Sequence, residues 1–340
     1  MSGLRAIVFC GCLSFSWLGA ALLVAQSLAP GLATVPAALL DTPRRTFRSA
    51  IDLVTLNVSV TDGRSRSIGG LSAGDFQVLE DGVPQDVSYF AATSVPLDVA
   101  LLIDSSSSMR EKMSSVQLAA ESFVKALRPE DRGMVVEFND QVRVLQPFVN
   151  DRAQLTAAIR HTRARGATAL YTAVYVTLDQ FSRARSLEGA NGEIRRPAII
   201  VLTDGDDTSS LIQFDDLLER ARRTGVAIYP ISMIAPAESE RLQQDGSRRF
   251  LGESDYLLKS LAQETGARAF FPTLLSELDS VYQSVADELA LQYALGYTSK
   301  SGRLDGTFHR LVVRVPTRPE LRSRTRMGYY ADVPTRAGGR

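Results

Sequence analysis

The sequence predicts an α/β fold: a doubly wound, mostly parallel sheet flanked by an antiparallel β module built from N- and C-terminal segments. Three observations predict it. Between Leu97 and Leu289, short apolar runs alternate with segments of helical periodicity, the order expected of a doubly wound sheet. Before Leu97 the chain shows period-two alternation and tight-turn residues. After Leu289 the same strand-like pattern returns.

The N-terminal β segment spans residues 46–95. Val54, Leu56, Val58 and Val60 lie on one side of an alternating strand, and Thr61-Asp62-Gly63 ends it. Phe76–Glu80 and Gln85–Phe90 read as two strands reversed at Asp81-Gly82. The central domain is expected over 96–290. Its first strand, 97–103, is a near-continuous apolar run of the kind buried on both faces of a parallel sheet. Val116, Ala119, Ala120, Phe123, Val124 and Leu127 then recur at helical spacing. Short strands follow at 134–138 and 142–146, helices at 154–159 and 171–181, and a second central strand at 198–203. Beyond it the pattern predicts a helix at 214–223, strand at 226–231, helix at 256–264, strand at 267–271 and helix at 275–289. The C-terminal β segment covers 291–330, with strands at 291–299, 307–315 and 321–330. These short strands need partners, and those of the N-terminal segment are the expected ones. Residues 331–340 read as a tail.

The N-terminus carries a different signal. Arg5 precedes a charge-free run from Ala6 to Ala25, the pattern of an export signal. It is also long enough to serve as a retained membrane anchor. A secreted, periplasmic or cell-envelope location is expected either way. Both cysteines (Cys10, Cys12) and the single Trp17 fall within this run. The remainder therefore has no disulfide to rely on and must be stabilised by its core. Residues 26–45, rich in Ala, Leu and Pro, read as a linker. Of the 340 residues, 38 are basic and 38 acidic. That balance gives no electrostatic reason to expect nucleic acid as a partner. The basic residues are nearly all arginine; lysine occurs only at 112, 125, 259 and 300.

The candidate chemistry sits in three places. The first central strand runs into Asp104-Ser105-Ser106-Ser107-Ser108-Met109. Gly166-Ala167-Thr168-Ala169-Leu170 precedes a helix. Thr203-Asp204-Gly205 ends the second central strand. Open α/β sheets bind ligands outside the carboxyl ends of their strands. Asp104, Ser106, Ser108, Thr168 and Asp204 offer two carboxylates and three hydroxyls, hard oxygen donors suited to Mg²⁺ or Mn²⁺ rather than Zn²⁺ or Cu²⁺; Ca²⁺ is a further option. Taken singly, the serine run could be a helix cap and Asp204-Gly205 a turn. Their order and placement together point to a metal site.

This combination resembles the metal-ion-dependent adhesion site of von Willebrand factor type A (VWA) domains, over about residues 96–289. The flanks GLSAGDFQVLEDGVPQ, LQYALGY and RMGYY resemble those of the VWFA-related acidobacterial domain family. The resemblance implies that Ser106, Ser108 and Thr168 bind the metal directly and that Asp104 and Asp204 act mostly through water. It also implies a Rossmann-like VWA fold and a protein partner that presents an acidic residue to the metal. Ser107 stands where many members have Gly. The expected function is metal-dependent protein–protein interaction or adhesion, without catalysis. A structural envelope scaffold is the alternative, and a serine hydrolase is a further one.

Several strings mimic catalytic motifs. Gly70-Leu71-Ser72-Ala73-Gly74 has the nucleophile-elbow pattern, but a β-like segment follows it instead of a helix. Ser122-Phe123-Val124-Lys125 lies mid-helix, without the companion motifs of penicillin-recognising enzymes. The only histidines, His161 and His309, lack metal-ligand spacing. Asp206 and Asp207 read as a solvated loop at the rim of the site.

Overall fold

The structure, a computed structural model, describes residues 53–92, 95–188, 195–204, 206–234, 241–242, 244, 251–302 and 305–331. The run Ala6–Ala25, the linker and nearly all of the expected tail lie outside these residues. No helix among the described residues is long and apolar enough to cross a membrane.

In chain order the strands are β1 (Leu53–Thr61), β2 (Gln77–Glu80), β3 (Val83–Gln85), β4 (Val87–Ala92), β5 (Leu97–Asp104), β6 (Arg132–Phe138), β7 (Val142–Val149), β8 (Arg196–Thr203), β9 (Ala227–Ser232), β10 (Tyr293–Thr298), β11 (Phe308–Arg314), β12 (Arg322–Arg324) and β13 (Gly328–Tyr330). The helices are α1 (Met113–Ala126), α2 (Arg152–His161), α3 (Leu170–Glu188), α4 (Phe214–Thr224), α5 (Glu253–Glu264) and α6 (Leu278–Ala290).

Five strands form the central sheet in the order β7-β6-β5-β8-β9, parallel except for β7, which is antiparallel to β6. This is the doubly wound α/β fold that the apolar runs predict. β5 is buried along its whole length because it serves two cores. Leu97, Val99, Leu101 and Ile103 join the layer containing α1, α2 and α6 residues. Ala100 and Leu102 point the other way, into the layer with α3, α4 and α5 residues. β8 divides likewise, with Ala198, Ile200 and Leu202 on one face and Ile199 and Val201 on the other. Burial of each of these valine, leucine and isoleucine side chains contributes roughly 1.5–3 kcal/mol. β5 and β8 are neighbours, and the chain leaves them in opposite directions, β5 toward β6 and β8 toward β9. Their carboxyl ends therefore meet at the switch point of the sheet.

The remaining strands form two antiparallel four-stranded sheets, β12-β1-β10-β4 and β13-β11-β2-β3. Val54, Leu56 and Val58 of β1 stand opposite Tyr297, Leu295 and Tyr293 of β10. This face packs with Val78, Leu311 and Val313 of the second sheet around one apolar cluster. The segments before and after the parallel sheet are thus paired strand to strand. Asp81 and Gly82, at φ 49° and 84°, form the two-residue reversal between β2 and β3.

Three strand expectations need correction. The segment 267–271 makes only a single bridge, between Phe270 and Ile231 of β9. On the outer edge of β9, the Ile228 amide is engaged by Thr265 Oγ1 and Pro230 has no amide. Only the Ser232 amide remains to donate to Phe270 O. The strand read over 85–90 is two strands in different sheets, because β3 pairs with β2 whereas β4 pairs with β10. The strand read over 321–330 is likewise split into β12 and β13. Between them Met327 N–H donates to Glu264 O at the end of α5, and Arg326 donates to Thr55 O, so the chain docks on other elements instead of continuing its ladder. Here Gly266 has φ 80°, and a Cβ on it would fall 2.5 Å from Arg326 N.

Candidate metal centre

β5 ends at Asp104, which is fully buried. Its Oδ1 accepts from the Ser106 amide at 2.8 Å, an arrangement that curls the next residues back over the strand end. Its Oδ2 accepts from Thr203 Oγ1, the last residue of β8, at 2.7 Å. Ser107–Met109 form one 3₁₀ turn, anchored by the fully buried Met109. Alternation across this turn leaves Ser107 exposed and brings the Ser106 and Ser108 hydroxyls within 3.0 Å of each other. Ser108 Oγ in turn donates to Asp204 Oδ1 at 2.7 Å.

The Thr168 loop reaches the same place through its backbone. Ser107 N–H donates to Gly166 O at 3.0 Å, Arg165 N–H to Ser105 O at 2.6 Å, and Ala169 N–H to Asn139 O at 2.7 Å. Asn139, buried at the end of β6, also donates to Ser105 Oγ at 3.2 Å. Gly166 has φ 74°, and a Cβ there would lie 2.6 Å from Asp140 Oδ1, so this crossing requires glycine. Thr168 itself is buried. Its amide donates to Thr208 Oγ1 and its carbonyl accepts from Thr208 and Ser209. Among the described residues its hydroxyl makes no hydrogen bond, and no direct bond joins it to the serines or to Asp204. Asp207, read as a solvated rim residue, instead accepts from the Leu170 amide at 2.9 Å and so caps α3 from a separate loop. Asp206 accepts from Ser254 Oγ.

Burial pushes the Asp104 carboxyl up to about 6; the hydrogen bonds from Thr203 and Ser106 pull against that, and the negative charge of Asp204 adds to it. A carboxylate in this position gains from any cation brought beside it. The donor set fits a small divalent ion. An octahedral ion with oxygens at about 2.0–2.1 Å places adjacent oxygens about 2.9 Å apart. Ser106 Oγ, Ser108 Oγ and Asp204 Oδ1 follow one another at 3.0 and 2.7 Å. Asp104, Ser106, Ser108 and Asp204 are therefore joined in one hydrogen-bonded group, with Thr168 on the adjoining loop.

Sequence reasoning missed three participants. In the sequence Thr203 stands out only as the residue before Asp204, and nothing in the pattern singles out Asn139. Lys112, which caps α1, is 2% exposed, and its Nζ donates to Asp204 Oδ2 as an ion pair. Its signal was the scarcity of lysine in an arginine-rich chain.

A second polar cluster lies in the β module. Glu80, Asp81 and His309 bring ligand-type atoms within 4.8 Å of one another. The Glu80 carboxylate, however, already accepts from Tyr297, Ser299, Ser301 and Tyr329, and His309 Nδ1 lies 2.7 Å from Asp81. This is a satisfied structural network. Ser72, of the nucleophile-elbow string, directs its amide and hydroxyl to Asp75 Oδ2, both at 2.8 Å, as a turn residue does.

A sheet with helices on both faces and this oxygen-rich group at the ends of its middle strands defines the class of the protein. Residues 99–206 match the family described as von Willebrand factor type A domain, and the chain carries a domain of that kind. Among relatives, a UPF0353 protein of Mycobacterium marinum is 27% identical over 216 residues, covering 60% of this chain. The chain spans only 62% of that relative's own length. A UPF0353 protein of Mycobacterium leprae is 27% identical over 229 residues, covering 64% of this chain and 66% of the relative. Similar solved structures include a von Willebrand factor type A protein from Catenulispora acidiphila, at 12% identity and TM-score 0.47, covering 84% of this chain and 74% of that one. Another is proximal thread matrix protein 1 from the mussel byssus with zinc occupied MIDAS motif, at 17% identity and TM-score 0.43, covering 62% and 49%.

Proposed function

We propose that this protein is an exported, metal-dependent binding module. Asp104, Ser106, Ser108, Thr168 and Asp204 hold a divalent cation, Mg²⁺ first, with Mn²⁺ or Ca²⁺ as alternatives. The cation keeps one coordination position for an acidic side chain of a protein partner. The observation that carries this reading is the chain of oxygens from Ser106 through Ser108 to Asp204, at the spacing of adjacent ligands of one octahedral ion and open to solvent at Ser108. The charge-free run at the N-terminus supports export to the cell envelope or beyond, either cleaved or retained as an anchor. We place the protein among binding modules instead of enzymes because the serine strings lead to structural roles: Ser72 holds a turn, and Ser122 lies on the exposed side of α1.

Calorimetric titration with MgCl₂ tests the metal. Asp104→Ala should weaken binding at least about 100-fold, and equal affinity in both proteins would end the reading. Pulldown from an envelope extract in Mg²⁺ and again in EDTA tests the partner. Retention in EDTA would favour a scaffold whose metal only stiffens its loops.

A further inference from the structure

The ion pair between Lys112 and Asp204 places a positive charge inside the proposed metal centre. Asp204 is 1% exposed at its side chain and Lys112 3%, so the pair is shielded from water and from salt. Among the described residues the ammonium has no other partner, and the carboxylate has only Ser108 besides. Lys112 is not free to swing away at no cost. Its backbone is held between the 3₁₀ turn and the first turn of α1, with its amide donating to Met109 O and its carbonyl accepting from the Val116 amide, both at 3.0 Å. The residue is thus fixed eight positions after Asp104 on the same folded loop that supplies the serines.

We infer that Lys112 is a tethered competitor of the divalent cation for Asp204, and that it sets how tightly the metal is held. This inference rests on the proposed metal centre. Two carboxylates would offer a divalent ion full neutralisation; with the ammonium present they offer only half of it. A cation entering beside Ser108 must share Asp204 with a like charge or displace it. Both routes weaken the hold on the bare ion. A bound ion then keeps net positive charge, which an anionic group from a partner can satisfy. The centre is built to hold its metal weakly alone and firmly with an acidic ligand in place.

Calorimetry with MgCl₂ and MnCl₂ on the full chain, with circular dichroism as a check on folding, tests this in the wild type, Lys112→Met, Lys112→Arg and Asp104→Ala. Lys112→Met should bind metal at least tenfold more tightly than the wild type and show the larger rise in thermal midpoint on adding MgCl₂. Lys112→Arg keeps the charge and should bind like the wild type. A folded Lys112→Met with affinity equal to or below that of the wild type overturns the inference while leaving the metal centre intact, provided Asp104→Ala has lost binding. Equal affinity in wild type and Asp104→Ala places the metal elsewhere and removes the centre and the inference together. Should Lys112→Met fail to fold, Lys112→Gln takes its place with the same expected direction and the same overturning result.

Discussion

Strand β5 carries an aspartate near each of its ends, and the two ends surround their carboxylates differently. At the amino end, Asp98 receives Arg132 at 2.8 and 2.6 Å and Arg195 at 2.6 Å. Beside it Asp131 receives the Arg128 guanidinium and the backbone amides of Leu97 and Arg128. At the carboxyl end Asp104 and Asp204 meet two hydroxyls, one amide and one ammonium. Guanidinium forks occupy both oxygens of a carboxylate and neutralise it. Hydroxyls donate one proton, keep lone pairs, and can turn those lone pairs toward a cation. One end of the strand is therefore closed chemically, and the other remains able to take a ligand.

Removing a carboxylate at the closed end should cost the most. Asp98→Ala leaves two arginines without their shared partner and should lower the unfolding free energy by about 3 kcal/mol, measured by urea denaturation. Metal titration of the folded variant should be unchanged; a loss of metal affinity there would break the contrast between the two ends. At the open end the reverse pattern is expected. Thr203→Val removes the hydroxyl that orients Asp104 while keeping the side chain's shape. It should weaken metal binding about tenfold with a stability change within about 1 kcal/mol. A large loss of stability with unaltered metal binding would make Thr203 merely structural.

The smallest effect concerns pH. Burial raises the Asp131 carboxyl, but the hydrogen bonds from Arg128 and from the Leu97 and Arg128 amides outweigh it and hold the group below its ordinary 3.8. A carboxyl depressed on folding stabilises the native state above its unfolded value, and that contribution fades as pH falls through the folded one. Asp131→Asn should therefore be less stable than the wild type by about 1 kcal/mol at neutral pH, with the gap shrinking below 3.8. A gap that stays constant down to strongly acidic pH would show that the carboxyl's charge contributes nothing at that end.

Much of the fold was legible because its signals are local. Apolar runs such as 97–103 and 198–203 announce strands buried on two faces, and Asp81-Gly82 announces a two-residue reversal, since few other residues accept positive φ. The five candidate ligands could be picked out because Asp104 and Asp204 directly follow those runs. The strand at 267–271 was misjudged for a reason that no periodicity records. The edge of β9 offers it too few amides, one being engaged by Thr265 and another absent at Pro230.

By itself the sequence determined the alternation of strand and helix, the parallel sheet, and the types of oxygen donor placed after its central strands. These follow from side-chain hydrophobicity and backbone preference, which act over a few residues. Only the tertiary structure decided that Thr203 orients Asp104, that Asp207 caps α3 across a loop boundary, and that Lys112 meets Asp204 across 92 residues of chain. Charge and hydrogen bonding depend on distance in space, and that distance is set when the two central strands are laid side by side.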